Sequence, residues 1–408
     1  MKKKTLYILM SYYLIQGLLH NLGHVVTPVY VNRSGIPGYM FGFFFSAMSL
    51  GLFIGGPIWG ILGDWKRKKP FIVLGLLGYS IGQVLFVSTT HLVWMTVFRF
   101  VSGFSVSAAV TLLLSELVRV SDDTNRTKNL SISAALFALG TTLGYAIGGW
   151  MGTWFIREVF YIQAVTNALY AGYVWFSFRE SREPVDGTHA SFFKSLRHAA
   201  TLKPSLWIFL FALTLATTAA TIVQRYLDVY VTVDLARSTS DLGNLVLVTG
   251  LVGMATNFLI VPVLTRWRRD FAFMQWIQVA SAIIIFIVFR SERIIVALYT
   301  GYMFYIVLKS IYQPLEQNYI SLNAQSERYS SIMGVRQAFF AMGMVIGPLF
   351  SGWIYDANPI RVFDVSAFMF LLSFLLLLMS RRALRRENLD VPTTATHHLD
   401  TAEIKAAP

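Results

Sequence analysis

Residues 60–70 read GILGDWKRKKP, one acid and four bases set between two apolar runs, LGLFIGGPIW (50–59) before and FIVLGLLGYSIGQVLFV (71–87) after. The second run does not alternate apolar and polar residues, so it cannot be a strand of a membrane barrel, and at 17 residues it is long for a soluble strand. Apolar runs of about 20 residues are long enough to cross about 30 Å of hydrocarbon as helices. The stretch therefore reads as a short charged loop between two membrane-spanning helices.

The same pattern recurs along the chain. Of 408 residues, 55% are hydrophobic and only 13% charged, and the mean hydropathy is +0.57. A soluble domain carries about twice that share of charge. Twelve spans are predicted, near 5–30, 38–62, 70–89, 92–118, 129–151, 156–178, 204–231, 240–264, 271–289, 293–320, 330–354 and 360–380. Each must be a helix, because unpaired backbone groups cannot face lipid. The longest polar insert divides them six and six. The expected organisation is an N-terminal bundle (1–178), a central linker (179–203), a C-terminal bundle (204–380) and a polar tail (381–408). The first residues resemble a signal peptide, but the apolar run continues to Val31 without a small-residue cleavage site, so a retained first span is expected.

The net charge of +13 excludes little by itself. Its placement does exclude nucleic acid as partner, because the cations sit in clusters between apolar runs and form no continuous face. Loops on the side of the N-terminus hold about four Lys or Arg for each one in the opposite loops, which predicts both termini and the linker in the cytoplasm of a cell membrane. Cysteine is absent, so thiolate and disulfide chemistry are unavailable. No Walker loop, nucleophile elbow or metal constellation is present, so an enzyme is not expected and neither cofactor nor metal is implied.

An internal repeat runs at an offset of roughly 200 residues. TPVYV (27–31) matches LDVYV (227–231), GILGDWKRK (60–68) matches PVLTRWRRD (262–270) with Trp65 on Trp267, and GTTLGYAIGG (140–149) matches GMVIGPLFSG (343–352). Parallel copies of six helices suit a transporter whose substrate site lies at mid-membrane between the repeats.

On these motifs the chain resembles the major facilitator superfamily over residues 5–380. The family's loop signature after the second span is matched by Gly60, Asp64, Lys68 and Lys69, with Trp65 and Arg67 departing from it. Arg99 with Ser102 and Gly103 is similar to the fourth-span arginine motif of proton-coupled exporters. Gly140, Gly144, Gly148 and Gly149 resemble the fifth-span antiporter motif, except that Tyr145 stands where proline is usual. The second copy, Gly343, Gly347 and Pro348, keeps the proline. The resemblance implies an all-α membrane protein of twelve helices in two pseudo-symmetric bundles, closest in pattern to the drug:proton antiporters. It implies a monomer acting on a small-molecule substrate and protons within a lipid bilayer.

The residues suggest how such a machine would be built. Gly51, Gly55 or Gly56, and Gly60 share a face of the second span, as Gly343, Gly347 and Gly352 do in the eleventh. Close packing explains both rows, and the resemblance adds a sliding contact between the halves. Asp64 ends its helix where the dipole disfavours an anion. Clusters Asp64–Lys68/Lys69–Glu116 and Glu316–Arg328/Arg336 are expected to latch the cytoplasmic face, the alternative being charges that snorkel at span ends. Arg99, Lys309, His20 and His24 lie within spans, with Arg225 and Asp228 near the outer end of the seventh. A cation there costs about 2.5–3.5 kcal/mol on insertion scales, so Arg99 and Lys309 should face a cavity or a partner. Lys309, Gln313 and Glu316 share one helical face, as do Gln16, His20 and His24. The two histidines could carry protons or line a wet cavity. A cavity of cations and histidines without a central carboxylate suits neutral, amphipathic or anionic compounds, and Phe43, Phe44, Phe45, Tyr302 and Tyr305 would suit a hydrophobic one. Export of such a compound against protons is the first expectation. An importer or flippase for an anionic metabolite or lipid is the second, and a membrane sensor or scaffold without flux the third.

Overall fold

In the computed structural model, residues 2–65, 67–121, 125–179, 203–264, 270–323 and 329–389 are described, and among them no strand occurs. The N-terminal half comprises α1 (Lys2–Asn21), α2 (Thr27–Arg33), α3 (Met40–Trp65), α4 (Lys68–Val87), α5 (Leu92–Val120), α6 (Arg126–Met151) and α7 (Arg157–Ser177). In the C-terminal half, α8 (Pro204–Val229) runs on through a π turn at Tyr230–Asp234. Next, α9 (Thr239–Ala255) passes through a second π turn (Thr256–Ile260) into α10 (Val261–Leu264). The remainder are α11 (Asp270–Val288), α12 (Ile294–Tyr299), α13 (Gly301–Asn323), α14 (Tyr329–Ala357) and α15 (Pro359–Leu389). Among the described residues, 10 helical stretches are long and apolar enough to cross a membrane. Together with α1–α2 and α7 they make the twelve crossings that the hydropathy pattern predicts.

The first crossing is not the single helix expected over 5–30. It turns at residues 22–26, separating α1 from α2. Breaking a helix inside a membrane frees carbonyls that water cannot reach, so protein groups must take them up. Gln163 of α7 does so, its Nε2 donating to the carbonyls of Leu19 (2.7 Å) and His20 (3.0 Å). Tyr79 of α4 also donates to the His20 carbonyl (3.2 Å), and the Thr27 hydroxyl donates to that of Gly23 (2.7 Å).

Glycines set the close approaches within each half. A Cβ on Gly144 or Gly148 would collide with the carbonyl of Leu18 or Leu22, so α6 lies directly against α1. Gly51 and Gly55 bring α3 against Phe100, Phe104 and Ser107 of α5, and Gly343 and Gly347 bring α14 against Thr214 and Thr218 of α8. Gly51, Gly55, Gly343 and Gly347 therefore pack inside their own halves, whereas Gly352 lies against the backbone of Tyr39 across the interface. The contact between α3 and α14 is made nearer the other end of α3, where Gly42 meets the carbonyl of Pro348 and Ser46 donates to that of Val345 (2.7 Å).

Cross-half contacts gather at the face opposite the chain's N-terminus. The Tyr39 amide donates to Asp356 (3.0 Å), Thr239 to the Gly149 carbonyl (2.7 Å), and Trp150 to Asn244 (3.0 Å). The repeated segments Thr27–Arg33 and Tyr230–Asp234 pack against each other there. One apolar cluster runs from Leu9 through Phe44 and Tyr145 to Tyr226 and Phe363, joining the halves. A second, around Leu206, Phe209, Leu315 and Leu377, belongs to the C-terminal half alone. The halves are thus joined at one face and hold separate cores toward the other.

The last helix extends past residue 380, where a polar tail was expected, to Leu389. Its Glu387 accepts from the amide (2.8 Å) and the hydroxyl (2.6 Å) of Ser205, capping the first turn of α8 with an anion where the helix dipole favours one. The linker between 180 and 202, the echo at 265–269 with Trp267, and the tail beyond 389 lie outside the described residues.

Candidate functional site

Two neighbouring hollows lie where the halves meet, the larger lined mainly by the C-terminal half and the smaller mainly by the N-terminal half. The larger, a cleft of about 660 Å³ counting its open mouth, follows α8 from Leu213 to Arg225. It is completed by Lys309, Gln313 and Glu316 of α13, Phe340 and Met344 of α14, and Phe45 of α3. The smaller, of about 290 Å³, holds His24, Thr27, Arg99 and Met48. Phe45 and Arg225 line both, so Arg225 stands where the two meet, beside the closed face.

Arg99 is 4% exposed. Its guanidinium donates to Gln83 Oε1 (3.3 Å) and Thr27 Oγ1 (3.1 Å) and lies 3.8 Å from the ring centre of Phe86. No carboxylate forms an ion pair with it among the described residues. Neutral acceptors and an aromatic face hold this charge, and through Thr27 it ties α5 to the start of α2.

Arg225 reaches across the halves. Its Nη1 donates to the Tyr145 hydroxyl (2.7 Å), lies 3.8 Å from Asp228, and the guanidinium sits 4.1 Å from the centre of the Phe45 ring. Tyr145, in the place where the antiporter motif has proline, also lies 3.5 Å from Asp228. Asp228 is only 2% exposed. Asp228 keeps the place near the end of its helix that the sequence suggests, and the opposing half covers it there through Tyr145. Lys309 donates to Gln224 (2.9 Å). Glu316, on the same helical face, pairs with Arg336, one of the two cations expected for it, which approaches through Nε (3.0 and 3.1 Å) and through Nη2.

The histidines diverge because the helix breaks between them. His20 stays on α1, its ring 4.8 Å from that of Tyr79, and its Nε2 has no hydrogen-bond partner. His24 sits in the turn, stacked 6.4 Å from Tyr145. They do not share the helical face that their spacing suggests. Gln16 is 1% exposed, with Nε2 also unpartnered. Gln163 and Tyr79 were not singled out in the sequence; the signal for them would have been polar groups in spans facing a break that hydropathy does not reveal. Of the aromatics, Phe45 lines both hollows and Phe44 the smaller one, whereas Tyr302 and Tyr305 are core residues and Phe43 packs on Trp353.

At the charged loops, Lys68 pairs with Glu116 (3.3 Å) and donates to Ser115 (2.9 Å), and Arg119 lies 3.7 Å from Glu116. Lys69 sits instead over the ring of Trp175, 5.1 Å from its centre. Glu116 and Glu316 occupy matching places in the repeat, but their cations do not: Lys68 opens α4, whereas Arg336 lies on α14, each pair within its own half. Gly60 lies against Thr111 of α5. The Asp64 side chain and all of Arg328 fall outside the described residues, so the clusters drawn through them are not described in full.

A two-bundle helical membrane protein with a partly charged cleft where its halves meet, closed at one face, is a carrier of small solutes. The sequence matches the Major Facilitator Superfamily over residues 6–274 and 226–405, and the chain belongs to that family. It is a transporter and not an enzyme. It is similar to the quinolone resistance protein NorA of Staphylococcus aureus, strain MRSA252, with 23% identity over 336 residues, 82% of this chain and 85% of that one. Multidrug resistance protein 1 of Bacillus subtilis, strain 168, is 22% identical over 368 residues, 88% of this chain and 92% of that one. Among solved structures, a point mutant of the nucleoside transporter NupG superposes with a TM-score of 0.79 at 13% identity, covering 92% of this chain and 99% of that one. A bacterial homologue of the human lysosomal transporter Spinster, inward-facing and occupied, gives 0.77 at 13% identity, covering 93% and 97%. The last two likenesses bear on the fold alone.

Proposed function

We propose that this chain exports small hydrophobic or amphipathic compounds across a cell membrane in exchange for protons, as a monomer. The observation that carries the reading is the cleft of about 660 Å³, part apolar and part charged, lying where two halves joined at one face meet. The relatives' names, quinolone resistance and multidrug resistance, support export. With both termini cytoplasmic, the joined face is the external one and the cleft belongs to an inward-open state. Rocking the halves about the cleft would break the contacts of Tyr39, Thr239 and Trp150 and present the site outside.

Proton movement is assigned to the titratable groups near the α1–α2 break, His20, His24 and Asp228. Ionisable groups inside a membrane are costly and are kept where they serve an ion or substrate path. The pairs Glu116–Lys68 and Glu316–Arg336, with Asp64, Lys69 and Arg328 nearby in sequence, are assigned to latching the cytoplasmic ends of the halves when the cleft closes.

Proteoliposomes with an imposed pH gradient test the reading. Efflux of an amphipathic dye should follow the gradient, and His24→Asn and Asp228→Asn should each uncouple flux from it. Flux of equal rate with and without the gradient would remove proton exchange, and no flux of any compound would favour the sensor.

A further inference from the structure

The charges of the large cleft do not balance. Arg336 and Glu316 neutralise each other, with Nε of the arginine 3.0 and 3.1 Å from the two carboxylate oxygens. Arg225 has Asp228 at 3.8 Å. Lys309 has only the amide oxygen of Gln224, at 2.9 Å, and no carboxylate pairs with it among the described residues. Beyond Arg225, in the adjoining hollow, Arg99 is likewise held by a neutral amide, a hydroxyl and an aromatic ring. The walls near these cations therefore carry at least one positive charge in excess. An uncompensated buried cation is costly, and a bound anion removes the cost.

Resting on the transport reading of this cleft, we propose that it selects amphipathic monoanions, with the acid group held between Lys309 and Arg225 and the apolar body laid along the cleft. Three features support it. Lys309 and Arg225 line one cleft from different helices, so an acid between them gains two charge-assisted hydrogen bonds. Arg225 engages Tyr145 and Asp228 through Nη1, and no hydrogen bond of its Nη2 occurs among the described residues, leaving donor capacity on the guanidinium. The remaining lining, including Leu213, Ala216, Ala220, Phe340 and Met344, is apolar. One charge is taken up and not two, because Asp228 already answers Arg225. A cationic compound would meet Lys309 with no free acid to receive it.

The test uses purified protein in nanodiscs of zwitterionic lipid at pH 7, with binding read by equilibrium dialysis. The probes are 1-naphthylacetate, its neutral amide, and 1-naphthylethylamine as the cation. The anion should bind about tenfold or more tighter than the amide, the scale of charge-assisted pairing, and the amine weakest. Lys309→Gln should erase the preference for the anion, and Lys309→Arg should keep it. Size-exclusion profile and helicity report whether each variant is folded. Equal affinities for anion and amide, preference for the amine, or no binding of any probe by folded protein would overturn the proposal. So would a Lys309→Gln protein that still prefers the anion. Doping the discs with phosphatidylglycerol separates two sources of the acid: competition that depends on Lys309 points to a lipid, its absence to a soluble compound, and either keeps the anion site. Proton-driven flux of the amine or the amide without anion preference would overturn this inference and leave the exporter standing. Anion binding without flux of any compound would do the reverse.

Discussion

Tyr145 shows how one side chain can change the meaning of a motif. Where a proline would remove a backbone hydrogen bond from the fifth span, this tyrosine keeps it and accepts from Arg225 of the other half (2.7 Å), within 3.5 Å of Asp228. It is 2% exposed and its ring stacks on His24, so one residue touches the closed face, the break in the first span and the cation shared by both hollows. Hydrogen bonds to charged groups contribute about 1.5–3 kcal/mol. Tyr145→Phe should thus preserve the fold and weaken closure of this face. Spin labels at Thr153 and Arg237, one exposed position on each half, should report a larger share of long distances in the variant. An unchanged distance distribution would show that Tyr145 does not hold the halves.

At the scale of elements, the first crossing matters most. Leu22–Val26 is apolar enough to read as the middle of a span, and hydropathy had no means of showing a break there. The break is stable because α7 and α4 supply Gln163 and Tyr79 to the carbonyls it frees. Gln163→Leu keeps the volume but takes the donor from the Leu19 carbonyl, at about 1–3 kcal/mol, and leaves Tyr79 as the donor to that of His20. The variant should melt several degrees below the parent in detergent, whereas Gln163→Glu, which cannot donate when ionised, should fare no better. An unaltered melting temperature for Gln163→Leu would mean that the Leu19 carbonyl finds another partner. The glycine motifs behave as sequence suggests in kind but not in partner: Gly144 and Gly148 admit α1, and Gly51 and Gly55 admit α5, each inside its own half.

The whole molecule is joined at one face, with separate apolar cores toward the other. In the proposed orientation, with the positive loops on the side of the N-terminus in the cytoplasm, the joined face is external. The chain has no cysteine, so single cysteines can be placed without background. A cysteine at Thr153 should react with a membrane-impermeant maleimide in intact cells, and one at Arg67 only after the cells are broken open. The reverse pattern would invert the transporter and turn the proposed export into import. Labelling at Thr153 should be insensitive to substrate because it lies outside the cleft, which gives an internal control for the spin-label distances.

The sequence alone determined the span pattern, the sixfold halves, the family motifs and the list of charged residues inside the membrane. These follow from local composition, since a helix in lipid is specified by a run of apolar residues and a loop by the charges that lipid rejects. GILGDWKRKKP was legible for the same reason, down to Lys68 as a partner of Glu116. Glu316 with Arg336 was legible too, and only the tertiary structure decided the partners of the other buried groups. Lys309 turned to Gln224 and not to Glu316, Asp228 became buried beside Arg225, and His20 parted from His24. Helical spacing orders residues along one straight helix. The partners here come from other helices and from a break in the first span, so they depend on packing between segments distant in the chain.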